Sequence, residues 1–137
     1  MDRLTITIDT HRFEAQLEHE TAPETCRAFQ TALPFVSQIV HVRWSGEAVW
    51  MPLGDLDFGV GFEDATSHPA PGQVILYPGG ISETEILIAY GPCAFACKAG
   101  PLAGNPFLTI TDGLETLAAI GRATLWKGAH DIRFDPA

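Results

Sequence analysis

Short strand-like runs, some alternating and some continuously apolar, recur along the whole chain, most of them ending at a Gly-, Pro- or Asp-containing turn. Residues 4–8 and 12–17 flank Asp9-Thr10-His11 as a hairpin, and residues 35–44 and 47–51 flank Ser45-Gly46. Residues 74–77 and 85–90 lie around Pro78-Gly79-Gly80, and residues 95–98, 107–110, 124–126 and 131–134 read as further strands. A period of two puts every second side chain on one face of a sheet. Two segments break that period. Thr21-Ala22-Pro23-Glu24 reads as a capping box, with Ala22, Cys26, Phe29 and Leu33 on one helical face and Pro34 as the stop. Asp112-Gly113-Leu114-Glu115 opens a second helix, with Leu114, Leu117 and Ile120 inward and Gly121 as its stop. Many short strands and two short helices predict a mainly β protein: a closed barrel with two helices capping it, in a single domain over residues 1–137.

Composition narrows the function classes. Of 137 residues, 46% are apolar and 18% charged, which suits one packed core. A formal charge of −9 repels phosphate backbones, so no nucleic acid partner is expected. No basic amphipathic stretch or long apolar run suggests a membrane. Cys26, Cys93 and Cys97 are too few, and odd in number, for a disulfide framework, and no signal peptide is visible, so a cytoplasmic, reduced protein is expected. No metal site is expected, because the five histidines are scattered and Cys93 and Cys97 have no second pair at zinc spacing. No cofactor motif, phosphate loop or Gly-x-Ser-x-Gly elbow is present.

The hairpin around Ser45-Gly46 is the most informative local feature. With a two-residue loop, His41 pairs with Trp50 and Arg43 with Ala48. One face then shows Val40, Val42, Trp44, Val49 and Met51 to the core. The other shows Ile39, His41, Arg43, Ala48 and Trp50. On that face Arg43 can grip a carboxylate or amide, Trp50 can form a flat wall, and His41 can move a proton. The ordinary alternative is an exposed outer face or a subunit contact. Glu83 and Glu85, two apart, share a face and can divide acid and base roles, or simply be solvated. Tyr77-Pro78-Gly79-Gly80 can shape a pocket rim or be only a tight turn. Residues 52–72 form a long segment with one short strand expected near 58–62; Glu63, Asp64 and His68 could belong to a lid over a site.

Several stretches resemble a known family. Ala22-Pro23-Glu24-Thr25-Cys26-Arg27-Ala28-Phe29 after the first hairpin, and Ala99-Gly100-Pro101 followed by Gly104-Asn105-Pro106-Phe107-Leu108, resemble cyclophilins. Arg43-Trp44-Ser45-Gly46-Glu47-Ala48-Val49-Trp50 and Tyr77-Pro78-Gly79-Gly80-Ile81-Ser82-Glu83-Thr84-Glu85 are similar to an uncharacterised bacterial cyclophilin-like family of small barrels. The resemblance covers nearly the whole chain and implies a cyclophilin-like barrel. Cyclophilins isomerise X-Pro bonds with a strand arginine, an apolar pocket and a glutamine. Arg43 matches the arginine and Phe107 a pocket phenylalanine; the glutamine position falls near Pro106, which has no side-chain donor.

Three functions follow as expectations. The first is a barrel-face site that binds or transforms a small anionic or amide-bearing metabolite. Arg43, His41 and Glu83 would be its reactive groups, and Trp50, Tyr77, Glu85 and Phe107 its ligand-binding residues. The second is a non-catalytic assembly or partner-binding subunit, motivated by aromatics such as Trp50 and Trp126. The third is a peptidyl-prolyl isomerase. A homo-oligomer is compatible with all three and suits the small size.

Overall fold

In the computed structural model, which describes residues 1–137, the chain starts with the expected hairpin of β1 (Arg3–Ile8) and β2 (His11–Leu17). Helix α1 (Pro23–Thr31) follows, then β3 (Phe35–His41) and β4 (Gly46–Pro52). After a loop come β5 (Gln73–Tyr77), β6 (Glu85–Cys93) and a two-stranded ribbon of β7 (Ala96–Cys97) and β8 (Gly100–Pro101). Strand β9 (Asn105–Ile110), helix α2 (Leu114–Lys127) and β10 (His130–Pro136) complete the order. Eight strands close into an antiparallel barrel in the order β1-β10-β3-β4-β6-β5-β9-β2, with β2 returning to β1. Closure leaves the barrel without a free edge strand, and only the β7–β8 ribbon keeps open edges. No helix is long and apolar enough to cross a membrane, and all three cysteines are free thiols.

The alternating residues of the strands fill the barrel. Leu4, Ile6, Ile8, Val49, Met51, Val74, Leu76, Ile86, Ile88, Leu108 and Phe134 are buried in one cluster with Phe29 of α1. Phe29 meets Phe107 and Phe134 edge-on, each with ring centroids 5.0 Å away. Helix α1 therefore plugs one mouth of the barrel through the face carrying Ala22, Cys26 and Phe29.

Several local expectations fail, each because a tertiary contact overrides the local signal. Ala22, not Thr21, caps α1, and it has no side-chain cap bond. Glu63 supplies the cap from the long loop, accepting from the Thr25 backbone N–H at 2.7 Å and the Glu24 N–H at 3.1 Å. Thr25 Oγ1 donates to Glu63 as well, and Asn105 holds the loop by accepting from the Glu63 N–H and donating to the Gly61 carbonyl. Burial opposes the charge on Glu63, but the bonds from Thr25 and Glu24 outweigh it and hold the carboxyl below its ordinary range. Glu63 is thus a structural cap. Residues 58–62 form no strand; the loop is instead tied down by a Thr66–Gly104 bridge.

Gly121 does not end α2. It lies mid-helix, where an added Cβ would stand 2.4 Å from the Tyr90 ring, so its bareness lets the helix sit on that ring. Residues 124–126 are consequently helical, and Gly128, with φ +92°, makes the stop. Leu114 is exposed instead of inward.

Candidate functional site

The outer face of β4, β6 and β5 carries a second buried cluster: Val42, Ala48, Ile75, Tyr77, Leu87, Phe95 and Leu102, with Trp50, Cys93 and Cys97 packed against it. The segment after β6 folds back over this face. The β3–β4 turn fastens it there: Ala94 N–H donates to the Ser45 carbonyl, Ser45 Oγ bonds Ala96, and Trp44 Nε1 donates to the Ala96 carbonyl at 3.1 Å. The segment does not cover the whole face. A cleft of about 590 Å³ remains, lined on one side by Trp44 and Trp50, on another by Ala96–Ala99 and on the third by Ile81, Ser82 and Glu83. Glu85 also lines it.

Each wall has a local cause. Tyr77 is buried, and its hydroxyl accepts from the backbone N–H of Ile81 at 3.0 Å and of Ser82 at 3.4 Å. Gly79 and Gly80, both at positive φ, allow the tight turn this needs. Glu83 follows, and its carboxylate accepts from the Gly54 N–H at 3.1 Å. Glu85 is the first residue of β6, opposite Tyr77 on β5 and Pro52 on β4. It is only 4% exposed. Burial, and then the neighbouring charge of Glu83, push its carboxyl up to about 8, with no hydrogen bond acting against them. At neutral pH Glu85 is therefore largely a neutral acid. Trp44 and Trp50 meet edge to face with centroids 5.7 Å apart, and Trp50 Nε1 is buried without a partner. Lys98 is the only cation in the lining.

Of the residues singled out in the sequence, Trp50, Glu83 and Glu85 come together in this cleft. The others do not join them. A two-residue Ser45-Gly46 loop would pair His41 with Trp50. Instead Val42 pairs with Ala48, His41 with Val49 and Val40 with Trp50, because the turn takes in residues 43–47. Trp50 thus stays on the outer face, as expected, while the one-residue shift turns His41 to the inner one. His41 Nε2 lies 2.7 Å from the Tyr90 hydroxyl, and its Nδ1 is buried without a partner. Burial, then repulsion from Arg43, lowers the His41 pKa, so it is neutral at neutral pH. Arg43 is exposed in the turn and does not line the cleft. Tyr77 supports the cleft from beneath, its hydroxyl already engaged. Phe107 is fully buried inside the barrel, on Phe29. The sequence reading missed Trp44, Cys97 and Lys98 as lining residues. A two-residue loop predicts Trp44 on the core face, whereas it is 60% exposed. No three His, Cys, Asp or Glu side chains are grouped so as to hold a metal ion.

The architecture is shared with solved structures of low sequence identity. McbB, solved in complex with tryptophan, is similar with a TM-score of 0.75 and 19% identity over 97% of this chain and 44% of McbB. The chain thus spans less than half the length of McbB. The hypothetical protein AF2241 from Archaeoglobus fulgidus gives a TM-score of 0.54 at 16% identity, covering 99% of this chain and 95% of that one. A cyclophilin-type peptidyl-prolyl cis-trans isomerase of Cryptosporidium parvum gives 0.55 at 12% identity, over 99% and 98% of the two chains. These likenesses show a cyclophilin-like fold. No curated protein matches the sequence at a significant level. The model of a family described as protein of unknown function, DUF3830, matches residues 4–135, and the chain belongs to this family.

Proposed function

We propose that the outer-face cleft binds or transforms a small, planar, amide-bearing metabolite. The observation that carries this reading is Glu85, a buried carboxyl without a hydrogen-bond partner, facing a cleft walled by two indoles. A buried polar group is normally paired, and one aimed into a concave site is a ready contact for a ligand. The indoles supply the flat apolar surface. McbB, similar in fold, was solved with a planar aromatic ligand, tryptophan, and such a shape suits these walls. An anionic ligand fits less well, because Glu83 and Glu85 face it and Lys98 alone would attract it. The roles first expected of Arg43 and His41 do not enter this reading.

The test is a thermal-shift and tryptophan-fluorescence screen with planar amides, amino acids and carboxylates, on the wild type and Trp44→Ala. Losing one stacking wall should weaken a planar amide about tenfold. If no compound of that class binds the wild type, the reading is wrong.

A second reading, an assembly surface, draws on Trp126, which is 82% exposed on α2. Light scattering that gives a monomer at every concentration, with no co-purifying chain, removes it. The isomerase reading rests on Arg43, which is exposed in the β3–β4 turn and does not line the cleft, so the cleft gives it no support.

A further inference from the structure

We propose that Glu85 recognises its ligand as a neutral carboxylic acid, pairing its O–H and C=O with the carbonyl and N–H of one lactam edge in a flat heterocycle. This deepens the cleft reading above and rests on it.

The surroundings of Glu85 leave little else for it to do. Its cross-strand neighbours are Tyr77, whose hydroxyl is engaged by the Ile81 and Ser82 amides, and Pro52, which has no side-chain donor. The charged and titratable groups around the cleft are Glu83 from the turn before β6 and Cys97 and Lys98 from the β7–β8 ribbon; β4 contributes only Trp50. Glu83 disfavours a second negative charge, and Lys98 is not among the influences on Glu85. A protonated carboxyl offers one donor and one acceptor side by side. A lactam presents the complementary acceptor and donor on one edge, so the pair makes two antiparallel hydrogen bonds. A carboxylate ligand cannot donate in return, and a cationic ligand would first have to ionise Glu85 beside Glu83. The indoles set the shape of the ligand. At 5.7 Å between centroids and 84° between planes they form a corner, too close to sandwich a ring, so the heterocycle lies flat against one of them.

Three probes separate the outcomes by calorimetry at about pH 6 and about pH 9: 2-quinolone, its N-methyl derivative and benzamidine. About a tenth of Glu85 keeps its proton one pH unit above its midpoint, so 2-quinolone should bind the wild type about tenfold more weakly at the higher pH. N-methylation, which blocks the edge, should abolish binding. Glu85→Gln keeps a donor and an acceptor without the titration, and should bind 2-quinolone equally at both pH values. Glu85→Leu, with a melting curve to show that it is folded, should not bind it. Benzamidine that binds more tightly at the higher pH would show an ionised Glu85 and overturn this proposal, and N-methyl-2-quinolone that binds as well as 2-quinolone would overturn it while leaving the cleft reading standing. Binding of 2-quinolone to the wild type without pH dependence would overturn it too. If no planar amide binds at either pH, both readings fall.

Discussion

The two faces of the sheet formed by β4, β6 and β5 use the same alternating strands for opposite ends. Inward, Val49, Met51, Ile86, Ile88, Val74 and Leu76 meet side chains from the rest of the barrel and from α1, and every one is buried among apolar neighbours. Outward, Ala48, Trp50, Leu87, Ile75 and Tyr77 are covered by the segment after β6 and, at Tyr77, by Phe62 of the long loop, and this cover leaves a cleft beside Glu85. The inner face is closed by the barrel itself, so its composition answers to packing alone. The outer face is left with a gap, and a buried acid and two indoles border that gap. The difference teaches that one sheet can carry a fully packed face and a cleft-bearing face on its two sides, with side-chain direction keeping them apart.

The comparison breaks first on Phe29. Truncating it to alanine removes the ring that meets Phe35, Phe107 and Phe134, and should cost about 3–5 kcal/mol in urea unfolding. Any folded fraction should keep its affinity for a cleft ligand. A loss of affinity equal to the loss of stability would show that the two faces are not separable.

The second test sharpens the outer side. The unfolded chain releases the Glu85 proton near 4.5, while the folded chain keeps it to about 8. Between those values the folded form holds more protons, so stability falls as pH rises, by up to about 1.4 kcal/mol per pH unit and a few kcal/mol in all. Glu85→Gln removes this dependence, so its stability advantage over the wild type should grow from about pH 5 to about pH 8 and then level off. Equilibrium unfolding of both proteins across that range checks it; parallel curves would mean that Glu85 is not held neutral.

A smaller effect is expected at the far mouth. Glu63→Ala strips the cap from α1 and should cost about 0.5–2 kcal/mol. Because the Glu63 pKa is lowered on folding, its contribution is fully present above the ordinary carboxylate range and is lost as pH falls below that range through the lowered folded-state value. Acid titration of the variant should therefore be flatter than that of the wild type at low pH. Last comes Trp44→Ala: with 60% of the residue exposed, it should change stability by less than about 1 kcal/mol while weakening ligand binding. A large loss of stability would make Trp44 a packing residue, not a wall.

The barrel was legible because its signals are local and repeated. Alternation in residues 4–8 and the Ala22, Cys26, Phe29 face state which side goes inward, and the continuous apolar runs 74–77 and 86–90 mark strands buried on both faces. The site was legible in part. Trp50, Glu83 and Glu85 were named, but the company they keep was not, since it hinged on the length of the turn after His41. Ser45-Gly46 looks like a two-residue loop in isolation. Its true span is set by Ser45 bonding Ala94 and Ala96, about fifty residues on, which no local pattern encodes. Gly121 likewise looks like a helix stop until the Tyr90 ring is seen against it.

The sequence by itself determined most of the strands, the inward face of α1 and the mainly β barrel, because periodicity and apolar burial act over a few neighbouring residues. Only the tertiary structure decided which side of the sheet His41 occupies, and that Glu85 is buried beside Glu83 without a partner. Register flips with a single residue, and the charge state of a carboxyl depends on what surrounds it in space.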